Sequence, residues 1–546
     1  MIPLTSRATK RAINQVTNGT IDTVIDRAYR LAIPILTLWL IVWIVLSWPG
    51  IMDDAFIHLR YADNLFRAHF ITYDGVHPSY GASSLLYVYL LAFFRAFTSS
   101  PNLPRVVSSC AHLLLFAGLV LLFARAIPRE SHLARLLGLT ALILFVAPSA
   151  VRWLDDGMET GLSLCFVALL CWVTFRQSTR PTISGLQYLT FLALGFFTVL
   201  LRTELMLLCG LSFVLLASQS LFAPNNTAIP NQRLRATRNG SHLLLGGLLA
   251  LTLIRIKMHF LLPDTALAKS IDHTPWSSTL VAAAKVLGGA LSFGAGMLLF
   301  WLLTILLIWR ARGLSVTVLL ANSAFPVLLA LAVLRGQQIQ GARYFAWAFT
   351  FSILWNILDL GRISPSPAEK RPGSMLVYVF LAFLLLALPL ESMALYPMLK
   401  SRSALLHQFE ANHLDRVEGK TGIAVDVGLI GYFSRADICD LAGLVNGRER
   451  ASKTTAQRRA ACAANHPDFL FFDAATINDL RPFLTYSDWQ ACSQSYEYKN
   501  VRTLNRHYLI VPRAVASGVC REVSNSVPLE VESLPDLRDT AKLPPQ

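Results

Sequence analysis

Apolar runs of about twenty residues recur along most of this chain and leave it few possible folds. The first extends from about Leu31 to Pro49 without a charge, and others follow at 105–126, 136–151, 157–176, 183–201, 205–221, 243–262, 287–309, 314–334, 344–360 and 375–396. That gives about eleven spans for a hydrocarbon core roughly 30 Å thick. Composition agrees, since 54% of the 546 residues are hydrophobic and only 15% are charged, too apolar for an ordinary water-soluble chain. The expected fold is a polytopic α-helical membrane protein.

Charge placement sets the expected orientation. A net charge of +15 would suit nucleic acid, but Lys and Arg cluster in short loops between the apolar runs, as in membrane proteins that fix their topology by charge. No nucleic-acid partner is expected; the bilayer is. Arg7, Lys10, Arg11, Arg27 and Arg30 precede the first run, so residues 1–30 are placed in the cytoplasm. No small-residue cleavage site follows the run, which is therefore expected to be a retained anchor. If Ser84 to Phe97 lies in the interface without crossing, the basic loops Arg125/Arg129/Arg135, Arg176/Arg180, Arg233/Arg235/Arg238, Arg310/Arg312 and Arg362/Lys370/Arg371 all fall inside. Counting that stretch as a span would put every one of them outside.

The remaining loops then share the outer face, and they carry ionisable residues of both signs. They hold Asp53-Asp54, Asp155-Asp156 with Glu159, Arg202 with Glu204, Asp264 with Lys269, and Arg335 with Arg343. Two adjacent carboxylates where a span ends are costly to desolvate and add nothing to burial. One structural account is that they begin an interfacial helix near Ala55. The functional account is a shared polar cavity with the acidic pair as its reaction centre, and the two are compatible.

After about Pro397 the composition becomes that of a water-soluble domain, expected to occupy residues 397–546 on the outer side of a transmembrane domain spanning 31–396. Ile423 to Gly428, Phe469 to Asp473 and Tyr508 to Val511 are expected as strands, and Ser452 to Ala464 and Ala474 to Leu484 as helices, giving a small α/β module with a frayed tail after Ser526. Cys110, Cys165, Cys171 and Cys209 fall in apolar runs and suit packing. Cys439, Cys462, Cys492 and Cys520 fall in the module, where an oxidising compartment would give at least one disulfide.

An ordered series of motifs carries a resemblance. Asp53-Asp54-Ala55-Phe56-Ile57 with Arg60-Tyr61-Ala62, Tyr80-Gly81-Ala82-Ser83-Ser84, Gly157-Met158-Glu159-Thr160, Arg202-Thr203-Glu204, Leu262-Pro263-Asp264-Thr265, Arg343-Tyr344 and Asp426-Val427-Gly428-Leu429 resembles GT-C glycosyltransferases, membrane enzymes that use polyprenyl-phosphate sugars. The nearest branch includes the mycobacterial-type terminal arabinofuranosyltransferase. The resemblance implies a GT-C-like fold in a bacterial inner membrane, with a catalytic outer loop at 50–104 and a periplasmic module. It also implies a polyprenyl-phosphate sugar donor, with arabinofuranose as the best single sugar, and a glycan, glycolipid or protein acceptor.

Sugar transfer needs a base for the acceptor proton and cations for the leaving phosphate. Adjacent carboxylates at a desolvated interface resist double ionisation, so Asp53 or Asp54 can be that base, Asp53 first by resemblance. Arg255, His259, Lys269, Arg343 and Arg202 are the expected donor-binding cations, with Lys257 on another face from Arg255 and His259. Arg202 is equally suited to pairing with Glu204 or Glu159. His58, Arg60, Tyr80, Asp156, Glu159, Glu204 and Asp264 are the expected acceptor and cavity residues. A divalent cation such as Mg²⁺ or Mn²⁺ between the pair and the phosphate is compatible with these ligands, although no spacing demands it. The competing class, a flippase for lipid-linked sugar, would show paired internal repeats and midplane polar groups, whereas these charges sit at one face.

Overall fold

The computed structural model describes residues 27, 29–48, 50–179, 185–222, 230–271, 295–313, 315–334, 343–362, 370–411, 418–464, 467–473, 489–494 and 507–512. The first span is α1 (Tyr29–Leu46). It is followed by α2 (Asp53–Ala68), α3 (Leu85–Arg95), α4 (Leu103–Ala126), α5 (His132–Val146), α6 (Pro148–Leu154), α7 (Thr160–Thr179), α8 (Gly185–Leu201), α9 (Met206–Phe222), α10 (Pro230–Met258) and α11 (Asp264–Ile271). Then come α12 (Ala295–Arg312), α13 (Val316–Ala321), α14 (Ala324–Leu334), α15 (Arg343–Arg362) and α16 (Lys370–Ala411). Each of the expected apolar runs carries helix. Among the described residues, five helices are long and apolar enough to cross a membrane alone, and α5 with α6, bent by 61°, makes a sixth span if the pair is counted as one. The chain is a multi-pass membrane protein; the full count of about eleven spans goes beyond this.

Length settles what α3 can do. Its 11 residues rise about 16 Å, roughly half a hydrocarbon core. Ser84 caps it by accepting the Tyr87 amide at 3.2 Å, and it packs on α2. By contrast α15 is buried on every side from Phe345 to Gly361, as a helix apolar all round should be. Its Asn356 exchanges amide hydrogen bonds of 3.0 Å with Asn322 and donates to Thr304 at 3.1 Å, while Trp301 donates to Asn322 at 3.0 Å. These bonds tie α12, α13 and α15 together. At the α8–α10 crossing, Gly195 meets the Leu243 carbonyl and Gly246 the Leu192 carbonyl so closely that a methyl group at either would overlap the other helix.

The expected boundary at Pro397 falls inside a helix: α16 continues through Pro389 and Pro397 to Ala411. The C-terminal module follows with β1 (Thr421–Ala424), α17 (Gly428–Ser434), β2 (Asp437–Asp440), α18 (Gly447–Ala451), α19 (Thr455–Ala463), β3 (Phe469–Asp473), β4 (Trp489–Gln494) and β5 (His507–Pro512). The sheet order is β2-β1-β3-β5-β4, parallel on both sides of β1 and antiparallel from β3 outward. The expected strand over Ile423 to Gly428 stops at Ala424, and Gly428 opens a helix instead. The helix expected over Ala474 to Leu484 and the tail after Ser526 lie outside the described residues. Thr454 and Gln457 form a reciprocal capping box at the start of α19. Cys439 and Cys462 form a disulfide, with Cα atoms 5.7 Å apart.

Two cores result. One fills the helical bundle around Trp347, Trp355, Phe145 and Phe300. The other lies between α2, α3 and the module, where Phe56, Tyr61, Tyr73 and Tyr87 meet Ile430, Phe469 and Phe471.

Candidate active site

Asp53 and Asp54 form the first turn of α2, where negative charge favours helix formation, and the preceding Met52 makes no side-chain cap. The Met52 amide donates to the Asp156 carbonyl at 2.8 Å, which pins the start of α2 to the loop after α6. Asp53 is held from the other side: its Oδ2 accepts the Gly428 amide at 2.8 Å and its Oδ1 the Leu429 amide at 2.7 Å. Desolvation, followed by Asp426 and Asp54, pushes its carboxyl up to about 7, against the lowering effect of the two amides. The group is thus poised between its two protonation states near neutrality.

Below this pair lies a buried group of mixed charge. His58, 3% exposed, sits one turn along α2 with Nδ1 3.1 Å from the Asp54 carbonyl and Nε2 3.8 Å from Glu159 Oε2. Glu159 Oε1 lies 3.3 Å from Arg202 Nη1 and accepts the Ser83 hydroxyl at 3.3 Å. Arg202 also grips Glu204, with Nε and Nη2 each 2.6 Å from Oε1. Of the two roles open to Arg202, the structure displays the pairing with both carboxylates. Asp264 and Tyr80 exchange main-chain and side-chain bonds, Asp264 N to Tyr80 O at 2.7 Å and Tyr80 N to Asp264 Oδ2 at 2.9 Å. Burial raises the Asp264 carboxyl, opposed by the Tyr80 amide and by Arg448, whose Nη1 is 3.7 Å away. Asp156 accepts the Met158 amide at 3.0 Å and is fully buried.

Several expected residues stand elsewhere. Arg60 is not a cavity residue: its guanidinium donates to the carbonyls of Tyr73 at 2.7 Å, Ala436 at 2.8 Å and Gly431, and it packs 4.4 Å from the Tyr73 ring centroid. It bolts α2 to the module. Arg255 and His259 do not share a helix face, because α10 ends at Met258 and His259 takes left-handed backbone with φ 62°. Arg255, Lys257 and His259 are all exposed, and no bond joins them to the buried group among the described residues. Lys269 lies in α11 and Arg343 opens α15, but their side chains lie outside the described residues. Among the described residues no three His, Cys, Asp or Glu side chains converge as a metal site.

Other contributors escaped the sequence reading. His112 is buried in α4 with Nδ1 2.9 Å from Asp155 Oδ2 and Nε2 2.8 Å from the Phe145 carbonyl, so both ring nitrogens face acceptors. An isolated His in an apolar run gives no sign of such a partner. Arg105, wholly buried, donates to Ser47 Oγ and to the carbonyls of Ile44 at 3.4 Å and Gly50 at 3.5 Å, fixing the end of α1 beside Asp53. Arg448 reaches the Leu262 carbonyl at 3.1 Å and lies 4.5 Å over the Phe260 ring.

No family model matches the sequence. The terminal β-(1→2)-arabinofuranosyltransferase of Mycobacterium tuberculosis is 27% identical over 249 residues, which cover 43% of this chain and 38% of that protein. The match thus spans well under half the length of that relative. A crystal structure of ArnT from Cupriavidus metallidurans bound to undecaprenyl phosphate superposes with a TM-score of 0.49 at 12% identity, over 86% of this chain and 97% of that one.

Proposed function

We propose that this chain is a GT-C-type membrane glycosyltransferase that takes a sugar from a polyprenyl-phosphate donor and places it on a glycan, glycolipid or protein acceptor. The observation that carries this reading is the half-buried Asp53-Asp54 pair, held by the module at the start of α2 beside buried His58, Glu159 and Arg202. Similarity to an arabinofuranosyltransferase favours a pentofuranose, arabinofuranose first. In the matching topology the basic loops are cytoplasmic, the module and its site are periplasmic, and about eleven spans lie in the bacterial inner membrane.

The acceptor hydroxyl gives its proton to Asp53, with Asp54 beside it, as the oxygen bonds to the anomeric carbon. The bond from that carbon to the phosphate oxygen breaks, and its electron pair leaves with the polyprenyl phosphate. In this reading Arg255, Lys257 and His259, exposed at the end of α10, bind the lipid-borne phosphate. Lys269 and Arg343 are further partners in the same role. His58, Tyr80, Asp156 and Asp264 shape the acceptor side, and Glu159 with Glu204 hold Arg202 in place.

Mass spectrometry of surface glycans and glycoproteins from cells with and without the protein tests the reading. Loss of a terminal pentose is expected. Unchanged glycans, with intact donor moved between leaflets of proteoliposomes, would replace the transferase by a flippase. In the purified transferase, Arg255→Ala is expected to weaken donor binding as well as turnover.

A further inference from the structure

The module does not merely rest on the membrane part; it reaches the acidic pair through its own main chain. The Gly428 and Leu429 amides, 375 and 376 residues away from Asp53 in sequence, each take one oxygen of its carboxylate. Gly428 is required at this point because a methyl group there would overlap the Asp53 carbonyl and lie 2.8 Å from Oδ2. Further contacts seat the rest of α17 on α2 and its loop. The Tyr73 hydroxyl donates to the Val427 carbonyl at 2.6 Å, Arg60 binds the Gly431 carbonyl, and the Phe56 ring lies 5.4 Å from Tyr432 and 5.8 Å from Phe433. Asp63 pairs with Arg95, which in turn donates to the Tyr432 hydroxyl at 3.4 Å.

We infer that the C-terminal module completes the reaction centre: the Gly428 and Leu429 amides are positioning groups that fix the Asp53 carboxylate for proton transfer. This rests on the proposed role of Asp53 as base. Each carboxylate oxygen accepts one bond and keeps a lone pair, so the amides set the orientation of the group without using up its basicity. They also favour the ionised form, opposing burial first and then Asp426 on the β1–α17 turn and Asp54 on the same helix, while the nearby Tyr73 hydroxyl is neutral and donates to Val427. A module that undocked would release both bonds together and leave a carboxylate free to rotate.

Leu429→Pro in the full-length protein removes one donor at a helix position where proline is tolerated. The expected result is a loss of turnover at pH 7 of about tenfold, with the acid limb of kcat/KM moved upward by about one pH unit and KM little changed. Gly428→Ala, which pushes α17 off the carboxylate, is expected to act in the same direction and serves if the proline variant does not fold. A slower enzyme whose acid limb stays in place in both variants would reduce the module to a structural role and overturn the inference. Hydrogen exchange supplies a readout independent of sugar transfer: in Asp53→Asn, the Gly428 and Leu429 amides are expected to exchange faster than in the unmodified protein. Unchanged exchange would show that Asp53 does not hold them and would also overturn it. If the unmodified protein transferred no sugar, the transferase reading would fail while the exchange result still decided whether the module holds Asp53.

Discussion

The two ends of the helical bundle hold their charges in opposite ways. At the basic end, Arg135 lies 5.3 Å over the Tyr29 ring, Arg238 4.7 Å over Tyr188 and Arg362 3.6 Å over Phe175, with their heads partly or fully exposed. At the acidic end the charges go inside: Asp155, Asp156, Glu159, Arg202 and Asp264 are each no more than 3% exposed. An arginine stacked on a ring at the water boundary costs little desolvation and is enough to orient a span. Buried carboxylates cost several kcal/mol each unless paired, in order-of-magnitude terms, and a fold does not need them for stability. That difference is one reason to propose the reaction centre at the acidic end.

Breaking one pair at each end should expose that difference. Arg202→Ala would leave Glu159 and Glu204 without their shared cation and is expected to cost about 3–5 kcal/mol, read as a large fall in Tm in detergent. A fall of less than about 1 kcal/mol would mean that this pairing behaves like a surface ion pair. Arg135→Ala, which removes a half-exposed cation stacked on a ring, is expected to cost about 0.5–1 kcal/mol.

A smaller effect separates the module from both ends. Asp440 is fully buried and accepts the Ala442, Leu444 and Val445 amides, yet desolvation outweighs them and pushes its carboxyl up to about 6. Asp53 is pushed up to about 7. In both, the folded state binds the proton more tightly than the unfolded chain, so the stability these two groups contribute is greatest in acid. It falls as pH rises past the ordinary carboxylate range and levels off above about 7. The Tm difference between pH 5 and pH 8 is therefore expected to shrink in Asp440→Asn. An unchanged difference would show that Asp440 titrates as it does in the unfolded chain.

Much of this arrangement is legible in the sequence because the bilayer imposes it. Apolar runs follow from hydrocarbon thickness, and the helix over Leu85–Arg95 is too short to match one of the long spans. Glu159, Arg202 and Glu204 stand out in the sequence because ionisable groups at span ends need a reason, and the structure pairs them. What the sequence hid is long-range. Arg60 looked like part of a cavity motif, but its partners Ala436 and Gly431 lie in a module that begins hundreds of residues later. Asp426-Val427-Gly428 looked like the end of a strand, since nothing local says that Gly428 must leave room for Asp53. Periodicity also gives no helix end at Met258, which was enough to misplace His259 relative to Arg255.

The most direct test of the central claim is donor binding and sugar transfer measured side by side for the unmodified protein and Asp53→Asn, with a polyprenyl-phosphate pentofuranose and an acceptor. Asparagine keeps the size of the side chain but cannot take the acceptor proton. Transfer is expected to slow by about 10²–10⁴-fold while donor affinity stays within a few-fold. Transfer by Asp53→Asn at near the normal rate would contradict the assignment and pass the role of base to Asp54 or Asp156.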